Sequence, residues 1–251
     1  MDTGYGYEAA DALWPEGPRF YASDGVFPLG TDSVLLADFA AVRGARRILD
    51  LGCGGGVLSV LLALRAPEAS VEAVDVSPEA AALCRRNLEA NGVAARSLVR
   101  EGDLREYRTL LTAGGYDLAV SNPPYFPEGS GYAAPDPRRA AARDERSCRL
   151  EDVLAAARHA LRWGGRFALV HRPERLSEAL CAMSAAGLEP KRLRLVQPRD
   201  RSAPNLFLAE GRRGGKPGLE ILPPLVLAEA DGTDSAEVRR IYHADGSAYR
   251  R

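Results

Sequence analysis

Apolar residues in this chain fall into short runs separated by stretches where they recur at helical spacing. Arg47-Ile48-Leu49-Asp50-Leu51 is an aliphatic run that predicts a buried strand, and a helical apolar pattern follows from Val57 to Leu64. Ser70 to Asp75 predicts a second strand, Arg96 to Arg100 a third, and Leu118-Ala119-Val120 a fourth. Asp32 to Ala41, ahead of them, has helical spacing after a Gly30-Thr31 turn. Further on, Glu151 to Leu161 predicts an amphipathic helix and Arg166 to His171 a strand, and the helix from Glu174 to Ala186 stops at Gly187. Leu193 to Val196 and Leu206 to Glu210 predict an antiparallel pair that completes the sheet, before Gly214-Gly215 turns into Leu219 to Leu222. Strands alternating with helices imply an α/β fold with a mostly parallel sheet. Residues 1–18, with Gly4, Gly6, Pro15, Gly17 and Pro18, predict a loose arm, and residues 19–251 one domain.

Composition narrows the class. At 251 residues and 46% hydrophobic the chain can bury one sizeable core. There is no apolar run long enough to span a membrane and no basic-then-apolar leader, so a cytoplasmic protein is expected. Cys53, Cys84, Cys148 and Cys181 show no CxxC spacing, and His159, His171 and His243 fit no ligand spacing, so free thiols and no metal site are expected. Cys53 reads as a small residue tolerated in a tight loop, and the histidines read as structural, though His171 at a strand end could touch a substrate. The net charge of −1 conceals an asymmetry: residues 1–130 carry 11 Arg and 18 acids, whereas residues 131–251 carry 22 basic and 16 acidic residues. The second half could therefore face a polyanion. Between Tyr125 and Leu150, residues 126–148 contain Pro127, Gly129, Gly131, Pro135 and Pro137 and read as a mobile loop. Its Arg138, Arg139, Arg143 and Arg146 suit phosphate contacts with RNA.

Open α/β sheets bind their ligands beyond the carboxyl ends of the strands, so the residues that end strands carry the chemistry. Gly52-Cys53-Gly54-Gly55-Gly56 stands between a strand and a helix, where glycines let the backbone approach a ligand and the helix offers its positive end. The glycines match the pyrophosphate fingerprint imperfectly, and Asp50 before them would repel a pyrophosphate. That acid suits a cationic ligand better, and S-adenosylmethionine carries both a sulfonium and an ammonium. Asp75 ends the next strand, where it can accept two ribose hydroxyls, and Asp103 would bring a carboxylate near an adenine amino group. Asn122-Pro123-Pro124-Tyr125 ends the fourth strand. Its Asn amide oxygen and the Pro123 carbonyl can accept two N–H bonds from one exocyclic amine, the prolines hold the backbone, and Tyr125 offers a face for a planar base.

Taken in order, Asp50-Leu51-Gly52-Cys53-Gly54-Gly55-Gly56, Asp75, Asp103 and Asn122-Pro123-Pro124-Tyr125 resemble the motifs of the Rossmann-fold amino-group methyltransferases. Leu29-Gly30-Thr31-Asp32-Ser33-Val34-Leu35-Leu36 resembles the segment before the cofactor loop in the bacterial tRNA1(Val) adenine-37 N6-methyltransferase family. The segments Leu206 to Gly218 and Leu222-Pro223-Pro224-Leu225 resemble its carboxyl-terminal part, a strand-and-turn extension over 206–243. The resemblance implies a class I methyltransferase fold, with a mostly parallel seven-stranded sheet and an antiparallel C-terminal strand. It implies S-adenosyl-L-methionine as cofactor, tRNA as substrate, and a monomer or weak homodimer with no membrane or metal partner. Asp50, Gly52 and Gly54 would hold the methionine moiety, Asp75 the ribose and Asp103 the cofactor adenine, and Thr31 would close over the cofactor. Gly30, Cys53, Val76, Leu104 and Asn122 would also lie at the cofactor. Asn122 and Pro123 would bind the target amine, with Pro124 and Tyr125 completing the catalytic tetrapeptide.

Two alternatives share the tetrapeptide. Enzymes that methylate the glutamine amide of release factors normally carry a separate helical amino-terminal domain, whereas here the glycine-containing segment already begins at Leu29. Ribosomal RNA guanine-N2 methyltransferases favour Phe at the position of Tyr125. A non-catalytic binding module would need broken cofactor acids or a broken clamp, and both are intact.

Overall fold

The computed structural model describes residues 11–23, 26, 30–123 and 148–243. The chain opens with a hairpin of β1 (Asp11–Ala12) and β2 (Arg19–Phe20) and then enters helix α1 (Thr31–Phe39). Strand β3 (Arg47–Leu51), helix α2 (Val57–Arg65), strand β4 (Ser70–Asp75), helix α3 (Pro78–Ala90) and strand β5 (Ser97–Glu101) follow in strict alternation. Next come α4 (Tyr107–Leu110), β6 (Tyr116–Ser121), α5 (Leu150–Ala160), β7 (Leu161–His171) and α6 (Leu176–Ala185). The last part holds β8 (Leu188–Arg199), β9 (Leu206–Arg213), β10 (Glu220–Ile221), β11 (Leu225–Ala228) and α7 (Ala236–Ile241).

In the main sheet the order is β10-β8-β9-β7-β6-β3-β4-β5, with β11 also on β8. Strands β3 to β7 pair in parallel, and β9 runs antiparallel between β7 and β8. The seven strands expected are therefore present, and the two short strands β10 and β11 extend the sheet to nine along the outer edge of β8. The chain order reverses where β3 lies between β4 and β6, which is the switch point at which ligands bind in open sheets.

Strand side chains alternate between two apolar layers. Ile48, Leu118, Val120, Ala168 and Val170 face a core shared with α1 and α2, while Leu49, Leu51, Ala119, Phe167 and Leu169 face a core shared with α5 and α6. Burial on both faces explains why these strands read as continuous apolar runs. Helix α3 starts at a Ser77 cap whose hydroxyl accepts from Ala80 N–H at 3.2 Å, with Pro78 in the first turn.

Residues 11–18, read from the sequence within a loose arm, form part of the hairpin, and Trp14 is buried. Its ring lies 4.7 Å from that of His243 and 6.5 Å from that of Tyr242, so the carboxyl-terminal segment covers the indole. Two carboxamides, Asn87 on α3 and Asn91 at its carboxyl cap, then hold the chain that follows. Asn91 exchanges two hydrogen bonds with the Arg19 backbone (2.9 and 2.7 Å), and Asn87 does the same with Tyr21 (2.7 and 3.2 Å). Asn87 Nδ2 also donates to Gly55 O at 2.8 Å, which ties this segment to the glycine loop.

Candidate active site

Register alone lines the candidate residues up. Leu51 pairs with Val74, Asp75 with Glu101 and Asp50 with Val120. One or two residues beyond those pairs, Gly52, Asp75, Gly102 and Asn122 stand in a row along the carboxyl edge of the sheet.

The glycine loop is shaped by its backbone. Gly52, Gly54 and Gly56 have φ of 75°, 51° and 82°, a region costly for other residues. A Cβ on Gly52 or Gly54 would meet no atom within 4 Å, so those two positions face open space. A Cβ on Gly56 would lie 2.5 Å from Cys84 Sγ, so this glycine serves close packing of the loop on α3. Cys53 is buried, and hydrogen bonding with Cys84 together with burial pushes its thiol well above the usual range. A poorly ionised thiol agrees with a small packing residue rather than a nucleophile.

Asp50 lies beneath the loop, fully buried. One carboxylate oxygen, Oδ2, accepts from Ser59 Oγ at 2.6 Å, while Oδ1 is buried with no hydrogen-bond partner among the described residues. Burial pushes its pKa up to about 7, and the nearby Asp75 adds to the shift against the opposing Ser59 bond. Asp75, at the end of β4, accepts from Gly54 N–H at 2.8 Å and from Ser77 N–H at 2.9 Å. Burial raises its pKa, and the backbone donors oppose that shift. These donors set the carboxylate between the glycine loop and the α3 cap. Val76, the next residue, is 53% exposed, an apolar surface offered at the same edge.

Asp103 reaches the edge too, but its carboxylate is engaged by the Arg105 guanidinium and by Arg105 N–H at 2.9 Å. That arginine holds its pKa below the usual carboxylate range. Leu104 is buried beside Leu51 and Val74, so it supports the edge from within the core. Gly30 caps α1 and Thr31 begins it, where Thr31 hydrogen-bonds the Tyr242 side chain.

Asn122 follows β6 directly, and its Nδ2 donates to Ser33 Oγ on α1 at 3.1 Å. Pro123 is buried behind it. Pro124, Tyr125 and the arginines Arg138, Arg139, Arg143 and Arg146 lie outside the described residues. Ser121 Oγ donates to Leu51 O at 2.7 Å and so ties the end of β6 to the start of the glycine loop. Ser33, Ser59 and Asn87 are partners that motif reading missed, because each acts on a residue supplied by another segment. His171 is fully buried at the end of β7, and its Nδ1 accepts from Arg172 N–H at 2.8 Å. Burial lowers its pKa to about 4, so it is neutral and faces the core rather than a substrate.

A family model described as methyltransferase small domain matches residues 19–185, which spans the whole row of edge residues. The chain belongs to the methyltransferase small domain family. Within that family, a Tolumonas auensis protein named tRNA1(Val) (adenine(37)-N6)-methyltransferase is 34% identical over 210 residues, covering 83% of this chain and 85% of the relative. A protein of the same name from Aeromonas salmonicida is 40% identical over 154 residues, 61% of this chain. That match spans 63% of the Aeromonas protein's length, just under two thirds. These relatives carry the family that the motifs resemble. Among solved structures, a predicted O-methyltransferase from Agrobacterium tumefaciens superposes with a TM-score of 0.68 at 24% identity, over 85% of this chain and 96% of that one. This likeness is one of fold alone. No helix among the described residues is long and apolar enough to cross a membrane, and they contain no group of three or more His, Cys, Asp or Glu that could hold a metal ion.

Proposed function

We propose that this chain transfers a methyl group from S-adenosylmethionine to the N6 amine of an adenine in tRNA, adenosine 37 of tRNA1(Val). The observation that carries the reading is the single row along the sheet edge, from the open glycines and the partnerless Asp50 oxygen to Asn122. These residues fit the cofactor. The Gly52 and Gly54 positions leave room that a side chain would fill, and the buried carboxylate behind them is short of one partner and favours a cation above it. Since Asp50 is fully buried, it acts on the methionine ammonium through its field across the loop rather than by the direct hold first expected. Asp75 keeps lone pairs for ribose hydroxyls, and Val76 packs against the adenine ring. Asp103 meets the adenine amine with whatever acceptor capacity Arg105 leaves it.

When bound, the cofactor supplies an electrophilic methyl on a sulfonium. The chain's own part is placement. Asn122 Oδ1 and the Pro123 carbonyl accept the two N–H bonds of the adenine amine, drawing its protons out of the ring plane and leaving the nitrogen lone pair directed at the methyl. Transfer would form the N–C bond as the sulfonium C–S bond breaks, leaving a neutral thioether, and the surplus amine proton would pass to water. Catalysis then rests on orientation rather than on a perturbed base. Tyr125 stacks on the base, and the arginines of the 126–148 segment hold the RNA backbone.

The deciding experiment offers labelled S-adenosylmethionine with total tRNA, total ribosomal RNA and purified release factor in parallel. Label recovered from tRNA as N6-methyladenosine is expected. Label in release factor, or as methylguanosine, would keep the cofactor site and replace the substrate. Alanine at Arg138, Arg139, Arg143 and Arg146 should weaken tRNA binding and flatten its salt dependence.

A further inference from the structure

We propose that Ser33 is a positioning residue of the amine site, one that holds the Asn122 carboxamide with its oxygen turned toward the substrate amine. The proposal rests on reading Asn122 as the amine acceptor. A carboxamide has two ends of nearly equal size and opposite polarity, an oxygen that accepts and an NH2 that donates. An exocyclic amine offers its own N–H groups, so only the oxygen end can hold it, and a flipped amide would set donor against donor. The backbone of β6 places Asn122 at the edge but does not choose between the two flips.

Ser33 grips one of the two ends, its hydroxyl acting here as the acceptor. Its Oγ takes the Nδ2 proton at 3.1 Å, which commits the NH2 end to the α1 side and turns the oxygen away from α1. The alternation of the sheet agrees, because Asn122 falls on the same face as Val120, the face that packs on α1. Helix α1 is itself held from outside. Thr31 bonds the Tyr242 side chain, and Asp38 pairs with Arg240 at 3.1 Å just beyond α7 and within it. The contact spans 89 residues of sequence, so a helix on the amino-terminal side holds a group delivered by the fourth core strand.

The test compares Ser33→Ala and Ser33→Thr by kinetics and by NMR. In Ser33→Ala, kcat should fall about tenfold, while the KM for S-adenosylmethionine stays within about twofold, the size expected for one lost orienting hydrogen bond. Melting should stay within about 2 °C of wild type, since the residue is partly exposed. Ser33→Thr keeps the hydroxyl and should restore most of the turnover. In protein labelled with 15N at asparagine, the Asn122 side-chain amide pair, assigned with Asn122→Ala, should shift in Ser33→Ala and return in Ser33→Thr.

An unchanged kcat in Ser33→Ala overturns the proposal and leaves the amine-site reading standing. Parallel loss of kcat, cofactor affinity and melting temperature overturns it in favour of a folding role. An amide pair indifferent to position 33 overturns the contact itself. A wild-type enzyme inactive on every amine substrate, with the NMR contact intact, overturns the amine-site reading and the proposal's catalytic half together.

Discussion

The two ends of the crevice are made from different materials. At the proposed cofactor end, shape comes from backbone: three glycines with positive φ, and an Asp75 carboxylate fixed by the N–H groups of Gly54 and Ser77. These contacts span 21 and 2 residues of sequence. At the proposed amine end, among the described residues, the Asn122 side chain is held by a hydroxyl 89 residues away. The first end is a local motif that carries its geometry with it, whereas the second exists only once helix α1 has docked on the sheet. Changes at the cofactor end should therefore show first in affinity, and changes at the amine end in turnover.

The largest expected effect lies at the amine end. Asn122→Ala should lower turnover by at least about a hundredfold, because the amine loses an acceptor and its orientation. Its cofactor affinity, measured by calorimetry, should stay within about threefold. Loss of both together would erase the contrast between the two ends. Asp75→Ala should act the other way and weaken cofactor binding by about 1.5 to 3 kcal/mol, the range for a charged hydrogen-bond partner. Unchanged affinity would remove the ribose role.

A glycine pair sharpens the cofactor end further. Gly54→Ala places a methyl in open space and should lose cofactor affinity, with a stability cost of about 1 to 2 kcal/mol for its positive φ. Gly56→Ala drives a Cβ against Cys84 Sγ and should cost more, about 2 to 4 kcal/mol by thermal or urea unfolding. If Gly54→Ala bound the cofactor as wild type does, the open space beside the loop would not be the methionine seat.

The buried acid adds a pH dependence. Asp50 titrates at about 7 when folded, above its ordinary 3.8, so the folded chain holds this proton more tightly than the unfolded chain. The resulting stability is fully present below about pH 4 and is lost as pH rises through 7. Asp50→Asn should therefore melt higher than wild type at pH 8, by a margin that shrinks at pH 5 and closes only below about pH 4. Cofactor affinity of the wild type should fall as pH drops below 7, approaching about tenfold per unit, because only the ionised carboxylate attracts the ammonium. A flat affinity profile from pH 5 to 8 would exclude Asp50 from binding.

Much of the parallel core was legible because both faces of its strands are buried. Arg47–Leu51 and Ser70–Asp75 are strands over the residues read from the apolar runs. The third strand begins one residue later than expected, at Ser97, because Arg96 ends a short 3-10 turn and spends its guanidinium on the carbonyls of Ala63, Ala66 and Ala69. Strand β7 begins at Leu161 rather than Arg166, since the ladder with β6 shifts register across the intervening glycines instead of stopping there. The edge acids were legible because an acid ending a strand is a local pattern. Ser33, Ser59 and Asn87 were not, because a serine or asparagine on a helix says nothing about which distant group it will meet.

Asn87 and Asn91 stand four residues apart on a helix, a spacing of about 6 Å along its axis, while two residues of extended chain cover about 6.6 Å. The two repeats nearly coincide, so for two rungs the flank of α3 substitutes for a neighbouring strand, with carboxamides in place of peptide groups. The repeat ends there, because the next position on that flank is the apolar Leu83, and Ser23 bonds the Glu79 carboxylate instead of a third amide. Both rungs read only peptide groups, so these four hydrogen bonds would outlast a change of side chain at 19 or 21, and the Tyr21 ring adds its own contact under the Arg86 guanidinium.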